Sequence, residues 1–419
     1  MTEPTPPEAE PAHQVAEPLG RNRDFKVVLG TQAVSAFGDA ISFTALPLLV
    51  LALTGSGLAM GVVGALQTIP DLFLAMLAGA LADRSDRKRM MLLADLGRAG
   101  LTALIPLSVM LDGPTMGVIL LVAAPMSILR AFFLAGYTAS VPALVGRSQV
   151  GRANSYFEAI YSVGFILGPA IAGILATTIG PGPTLAIDAV SFALSGLGLL
   201  LVRRDLRAPI DRPREPLLTE IRQGIDFILG HRTLRVVILF WGLVSITIAS
   251  IVSALAVHIT IDLGLPASVL GIILTAFGGG TITGALLMSR VNQQRPAPLM
   301  LGGTVATGSM LLVIATAAPV PILMAAAFGF GIAQSVVMLT YITYRTTISP
   351  DELLGRIGST ARTISLGLQP IGLIVGGLVI DATSGSTALI VMGLGEILIC
   401  AVFASVPSMR RASATLGRA

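Results

Sequence analysis

The chain has 419 residues, of which 54% are hydrophobic and only 12% charged, with a formal net charge of +4. A soluble protein of this length would form two or three domains with polar surfaces, and this chain has too few polar residues to cover them, so its composition points to lipid as the solvent. Nor does the positive charge indicate nucleic acid, because the basic residues are scattered over short loops without the aromatic-interleaved patch that strand binding requires.

The first 20 residues are rich in Pro and Glu and lack an apolar core, so they read as a disordered tail and not a signal peptide. Beyond them, a bilayer core of about 30 Å takes roughly 20 apolar residues of helix. Twelve stretches qualify, at 27–51, 57–81, 90–111, 115–140, 154–177, 184–202, 235–258, 266–289, 298–317, 321–344, 357–380 and 386–406. The expected fold is an all-α membrane protein. Its parts are a cytoplasmic tail at 1–25, a six-helix bundle at 26–203, a linker at 204–233, a second six-helix bundle at 234–407 and a tail at 408–419. With the spans alternating in direction, 24 of the 27 Lys and Arg fall on the side of the termini, none falls on the other side, and Arg98, Arg130 and Arg362 lie within spans. That asymmetry predicts a multi-pass protein of the plasma or inner membrane with both termini in the cytoplasm.

Charges inside spans are costly and commonly functional. Asp39 lies about 12 residues into the first span, or ~18 Å at 1.5 Å per residue, and Asp71 is near the middle of the second. Asp95 and Arg98, spaced i, i+3 in the third span, read as a structural pair. Arg130 stands in the fourth span. Glu158 and Arg362 lie near the cytoplasmic surface, where their side chains can snorkel. Asp188 reads as near the outer end of the sixth span, and Glu396 as mid-span in the last. A buried carboxyl is discouraged from ionising by desolvation and encouraged by a nearby cation, so it can load a proton on one side and release it on the other. Asp39 is the first candidate for such a carrier, Asp71 the second, and Arg130 the cation whose approach would expel the proton. The alternative is that both acids are hydrogen-bonded ties between helices.

Between the second and third spans, "GALADRSDRKRMM" (79–91) packs six charged residues into seven positions, Asp83 to Arg89. The fifth span carries Gly164, Gly168, Pro169 and Gly173, a smooth and kinkable face that permits close helix packing. In the linker, Leu217, Leu218, Ile221, Ile225, Ile228 and Leu229 share one helical face, which predicts an amphipathic helix lying on the membrane or packed beneath the bundle. The halves look related. "GAL" at 79–81 recurs at 284–286, an offset of 205; "VGRANS" at 150–155 answers "LGRIGS" at 354–359, an offset of 204; and Gly168 and Gly173 match Gly372 and Gly377 at that same spacing. This argues for duplication. Two parallel six-helix repeats are an architecture of secondary transporters, with the substrate site at the interface between them.

The 79–91 loop resembles that of the major facilitator superfamily, whose signature runs roughly G-x-L-a-D-r-x-G-r-k. Gly79, Leu81, Asp83, Arg84, Arg87 and Lys88 stand at the matching places, and Asp86 replaces the second glycine. The resemblance implies that Gly79, Asp83, Arg84 and Arg87 form a cytoplasmic gate that latches the halves together. A narrower similarity, to the proton-coupled drug exporters with macrolide- and siderophore-efflux members, is visible at 37–61, 69–84 and 141–175. The fifth-span glycine–proline pattern fits that group. Its arginine with glycine four residues on does not, since Gly136 follows Arg130 by six.

The remaining lining is apolar, with Gln67, Thr68, Gln334, Thr340, Tyr341 and Gln369 as isolated polar contacts, which suits a small lipophilic compound. The expected function is therefore proton-coupled export of lipophilic drugs, antibiotics or secondary metabolites by alternating access. An uptake permease for a small metabolite is the alternative, and a receptor or scaffold a third. No enzyme is expected: His13, His231 and His258 are too far apart in sequence to suggest a metal site, and no nucleophile motif stands out. With no GxxxxGK[ST] loop, the energy source should be an ion gradient and not a nucleotide or other cofactor. A monomer is expected, and the lone Cys400 cannot form an intramolecular disulfide.

Overall fold

A computed structural model describes residues 18–82, 84–207, 217–291, 295–350 and 353–410. Fourteen α-helices follow one another. The first six are α1 (Arg23–Thr54), α2 (Gly57–Ala82), α3 (Arg87–Met110), α4 (Thr115–Val145), α5 (Val150–Thr178) and α6 (Pro181–Leu199). After the linker come α7 (Leu217–Gly230), α8 (Arg232–Ile248), α9 (Ile251–Val257), α10 (Ala267–Met288), α11 (Pro296–Ile314), α12 (Val320–Ile348), α13 (Leu354–Ala382) and α14 (Gly385–Ser405). Among the described residues, twelve segments are long and apolar enough to cross a bilayer, with α8 and α9 counted as one. In lipid every backbone polar group must be satisfied within the segment, which is why helices are the only elements to span here, and why interior prolines such as Pro47, Pro106 and Pro169 are tolerated.

Helix ends are set locally. The Asn22 side chain accepts the N–H of Phe25 at 2.9 Å and starts α1, and Gly55, at φ 64°, stops it. Asp86 caps α3 through the N–H of Arg89 at 3.1 Å. The amphipathic α7 packs against α8 and α13 beneath the second bundle, with Ile228 buried and Arg222 and Asp226 outside as an ion pair at 3.7 Å. Of the two placements its sequence allows, this is the one under the bundle.

Helices α1 to α6 form one bundle and α8 to α14 the other. Their internal pairings match: α2 packs on α4 as α10 packs on α12, and α3 on α6 as α11 on α14. The bundles meet along two seams, α2 with α13 and α5 with α10. The helices alternate in direction, so the basic loops gather at one end, called here the basic end, and the other is the far end. At the far end a single apolar core joins both bundles, from Leu48–Leu51 of α1 and Met60 of α2 to Ala254–Val257 of α9, Leu270 of α10 and Ile380 of α13. Toward the basic end this core splits. One cluster, with Phe25, Met91, Phe133, Leu144 and Phe157, belongs to the first bundle, and another, with Ile228, Val237, Phe240, Tyr344 and Phe403, to the second. The molecule is therefore closed at the far end and cleft at the basic end.

The seams close backbone to backbone. A β-carbon on Gly61 would run into the carbonyl of Leu373, and one on Gly271 into that of Pro169, so neither position admits a side chain without parting the bundles. The seventh span is discontinuous. Between α8 and α9, at Ala249–Ser250, the helix breaks where Gly372 and Gly376 of α13 press against Ile246 and Ser250. α9 then runs into a π-helical turn, His258–Asp262. While α8 packs on α13, α9 also touches α1 and α2 of the other bundle.

Candidate functional site

Several of the charged candidates lie in the first bundle. Asp71 of α2 is ion-paired with Arg130 of α4 and accepts from Ser127 Oγ at 3.2 Å. The Arg130 side chain is 56% exposed, so the pair faces the cleft and not the core. The two charge candidates of α2 and α4 thus bind each other.

Asp39 is half-buried midway along α1, and among the described residues its carboxyl has neither a hydrogen bond nor an ion pair. It lies within electrostatic reach of Arg98 and Arg130. Arg98 is engaged elsewhere: fully buried, it pairs with Asp95 on its own helix, and its guanidinium lies over the Phe133 ring (4.7 Å) and the Phe192 ring (4.2 Å). The i, i+3 spacing gives the structural pair that the sequence predicts.

One turn beyond Asp39, Ser42 Oγ donates to Asp188 of α6 at 2.5 Å, and Ser191 Oγ donates to the same carboxyl at 3.2 Å. Asp188, read from sequence as a residue near the outer end of its span, is almost wholly buried beside Gly38 and Asp39. The sequence missed it because depth along a helix does not reveal which neighbouring helix it faces. With Ser42, Gln67 and Thr102 it lines a small cavity of about 40 Å³, so Gln67 faces this polar hole. Within the same bundle, Tyr161 of α5 donates to Gln32 Oε1 of α1 at 3.2 Å, a contact that no motif announced.

The other candidates scatter. Gln334 of α12 is half-buried with its Oε1 enclosed and unpartnered among the described residues. Gln369 of α13 is half-buried. Tyr341, expected in the cavity, is 3% exposed and stacks on Trp241 at 5.1 Å inside the second bundle's core; its ring is worth more as packing area than as a polar contact. In α5, Gly164 and Gly168 pack on Ala36 and Ala40 of α1, whereas Pro169 and Gly173 lie in the α5–α10 seam. Glu396, mid-span on the terminal helix α14, is fully buried, accepting from Thr307 and, at 3.5 Å, from Thr247.

Among the described residues, the expected cytoplasmic latch makes its hydrogen bonds within the first bundle. Asp83 lies outside the described residues. A β-carbon on Gly79 would meet nothing within 4 Å, and Arg84 is exposed. Arg87 is buried and donates to the carbonyls of Ala82 (3.0 Å) and Ala139 (2.9 Å), both in the first bundle. Lys88 likewise donates to Val202 at 2.6 Å.

The sequence profile of a family described as transmembrane secretion effector matches residues 16–416. Similar relatives include the multidrug efflux pump Tap of Mycolicibacterium fortuitum, 28% identical over 92% of this chain and 96% of that one. Enterobactin exporter EntS of Citrobacter koseri is 26% identical over 88% and 90%, and macrolide efflux protein A of Streptococcus pyogenes 23% identical over 92% and 96%. Among solved structures, nucleoside transporter NupG superposes with a TM-score of 0.73 at 14% identity, covering 91% of this chain and 98% of that one. A bacterial homologue of the lysosomal transporter Spinster, inward-facing and unoccupied, gives 0.73 at 14% identity over 95% and 99%. Both share the fold.

Proposed function

Since the chain belongs to the transmembrane secretion effector family, within the major facilitator superfamily, we propose that it exports small lipophilic compounds, drugs or secondary metabolites among them, in exchange for protons. The names of the relatives support export, as pumps for drugs, macrolides and a siderophore. The charge pattern supports placing the basic end in the cytoplasm, and in that orientation the cleft opens inward, ready to take cargo from the cell or the inner leaflet. Alternating access then requires the shared core at the far end to part and the cleft to close.

One observation carries the proton reading. Asp39 is an unpaired carboxyl midway along α1, beside a buried acid, Asp188, while the nearby Arg98 is committed to Asp95. Two carboxyls with no cation of their own are costly as anions in a medium of low dielectric. Protonation relieves that cost, and water reaching the site from either side can deliver or remove the proton. Arg130, half-exposed and paired with Asp71, can exchange Asp71 for Asp39 and so favour release. The apolar walls recognise cargo by area and shape, which fits a broad range of lipophilic compounds better than one polar metabolite.

A susceptibility screen tests this. Cells expressing the protein are expected to gain resistance to some lipophilic compounds, and Asp39→Asn to lose it at equal expression. In everted vesicles, acidifying the lumen should drive the compound inward. Accumulation indifferent to the proton gradient would end the antiport reading, and loss from the lumen would indicate uptake.

A further inference from the structure

Both seams end at the far end in matching contacts between bundles. At the α2–α13 seam, Asp381, last but one in α13, accepts from the backbone N–H of Gly57, from that of Leu58 at 3.1 Å and from the Ser56 hydroxyl at 2.6 Å. Gly57 and Leu58 open α2, so a carboxylate of one bundle caps the free N–H groups of a helix in the other. At the α5–α10 seam, Thr177, last but one in α5, accepts from the N–H of Ser268, the second residue of α10, at 3.1 Å. Thr177 and Asp381 are 204 positions apart, the spacing of the internal repeat. The same joint is therefore built twice, once with a charged acceptor and once with a neutral one.

The position of Asp381 makes sense only across the seam. An acid in the last turn of a helix opposes the dipole of that helix, whereas one at the start of a helix is favoured. Asp381 is misplaced for α13 and well placed for α2. Among the described residues no ion pair joins the two bundles, and the other side-chain hydrogen bond between them, from Thr275 Oγ1 to the Ile166 carbonyl at 2.8 Å, lies deeper in the seam.

We propose that Asp381 and Thr177 are paired latches that hold the far end shut, Asp381 the stronger, and that their release frees the far end to open. The inference rests on the export reading only for what opening accomplishes; the latch is tested without cargo. In a Cys400→Ala background, single cysteines at Ile380, which packs over Gly57, and at Ala170, in the other seam, report water access through their labelling rate with a membrane-impermeant maleimide. Labelling is done on intact cells and on everted vesicles. Asp381→Ala should speed labelling by roughly 5- to 30-fold, the effect of losing a charged helix cap, and at Ala170→Cys as well as Ile380→Cys, because the far end opens as a whole. Thr177→Val should give about a 2- to 5-fold rise, as for a neutral hydrogen bond. If Asp381→Ala does not fold, Asp381→Asn, which keeps one acceptor, takes its place.

Unchanged rates at both reporters would overturn the latch, as would a rise confined to Ile380→Cys, which local fraying explains. Faster labelling in a protein that exports nothing would keep the latch and sink the export reading; unchanged labelling in a working pump would do the reverse. A rise seen only from everted vesicles would keep the latch and place the far end in the cytoplasm.

Discussion

The two bundles share a plan and differ in charge. Ser42 and Thr247 are 205 positions apart, and each gives its hydroxyl to a buried carboxyl on the last helix of its bundle, Asp188 in one and Glu396 in the other. Thr102 and Thr307 are also 205 apart. In the second bundle, Glu396 is one methylene longer and reaches Thr307. In the first, Asp188 stops short, Thr102 turns to Met126 Sδ at 3.5 Å, and the small cavity remains beside Asp39. The repeat supplies a hydroxyl scaffold in both bundles: in one copy the carboxyl takes both hydroxyls, and in the other a small cavity lies next to an unpaired acid. The expected contrast is that transport depends on the first bundle's acids more than on Glu396.

The largest test of that contrast is Arg98→Ala. It leaves Asp95 buried without its cation and empties the space between Phe133 and Phe192, and breaking such a pair costs about 3–5 kcal/mol. Loss of the monodisperse peak in detergent is expected, with no folded protein left to assay. Asp39→Asn should come next in effect and differ in kind, with normal yield and melting temperature but resistance at the empty-vector level. Asp71→Asn removes a half-exposed pair worth ~0–1 kcal/mol, so stability should barely change while transport falls in part, with Arg130 left unpaired at the cleft wall. The smallest effect is assigned to Glu396→Gln. The amide keeps an acceptor for Thr307 and no charge partner is lost, so melting should move by less than ~1 kcal/mol equivalent and transport should persist. If Glu396→Gln abolished export while Asp39→Asn spared it, the division of labour between bundles would be reversed.

How much of this was legible in the sequence follows from what lipid enforces. Spans could be read because a bilayer admits few alternatives to an apolar helix, and the repeat because glycines such as Gly168 and Gly372 recur where helices must touch. The observed helices run past the apolar stretches, α1 from Arg23 where the hydropathy begins at 27, because polar turns continue a helix into the interface. What could not be read is which faces meet. Asp188 was judged by depth, whereas its meaning comes from the α1–α6 contact. Glu396 lies on a terminal helix that is peripheral to the cleft but central to its own bundle. Tyr341 looked like a polar contact until Trp241 covered it. Asp381 falls one residue beyond the predicted span, where an acid reads as loop, and only α2 gives it a role. Nor does the sequence around Ala249–Ser250 hold a proline or glycine to signal a break; the glycines responsible are on α13.

That break has a mechanical consequence. The seventh span is held by its own bundle along its whole length, but past the break it also touches α1 and α2 of the opposing one, so it is tied to both. Any rocking of the bundles must be absorbed at the two residues between α8 and α9, where the rungs of the hydrogen-bond ladder are already missing and bending costs least. Its repeat counterpart, α1, runs unbroken for 32 residues. Motion should thus be unevenly shared, with the second bundle supplying the knee and the first the straight shank.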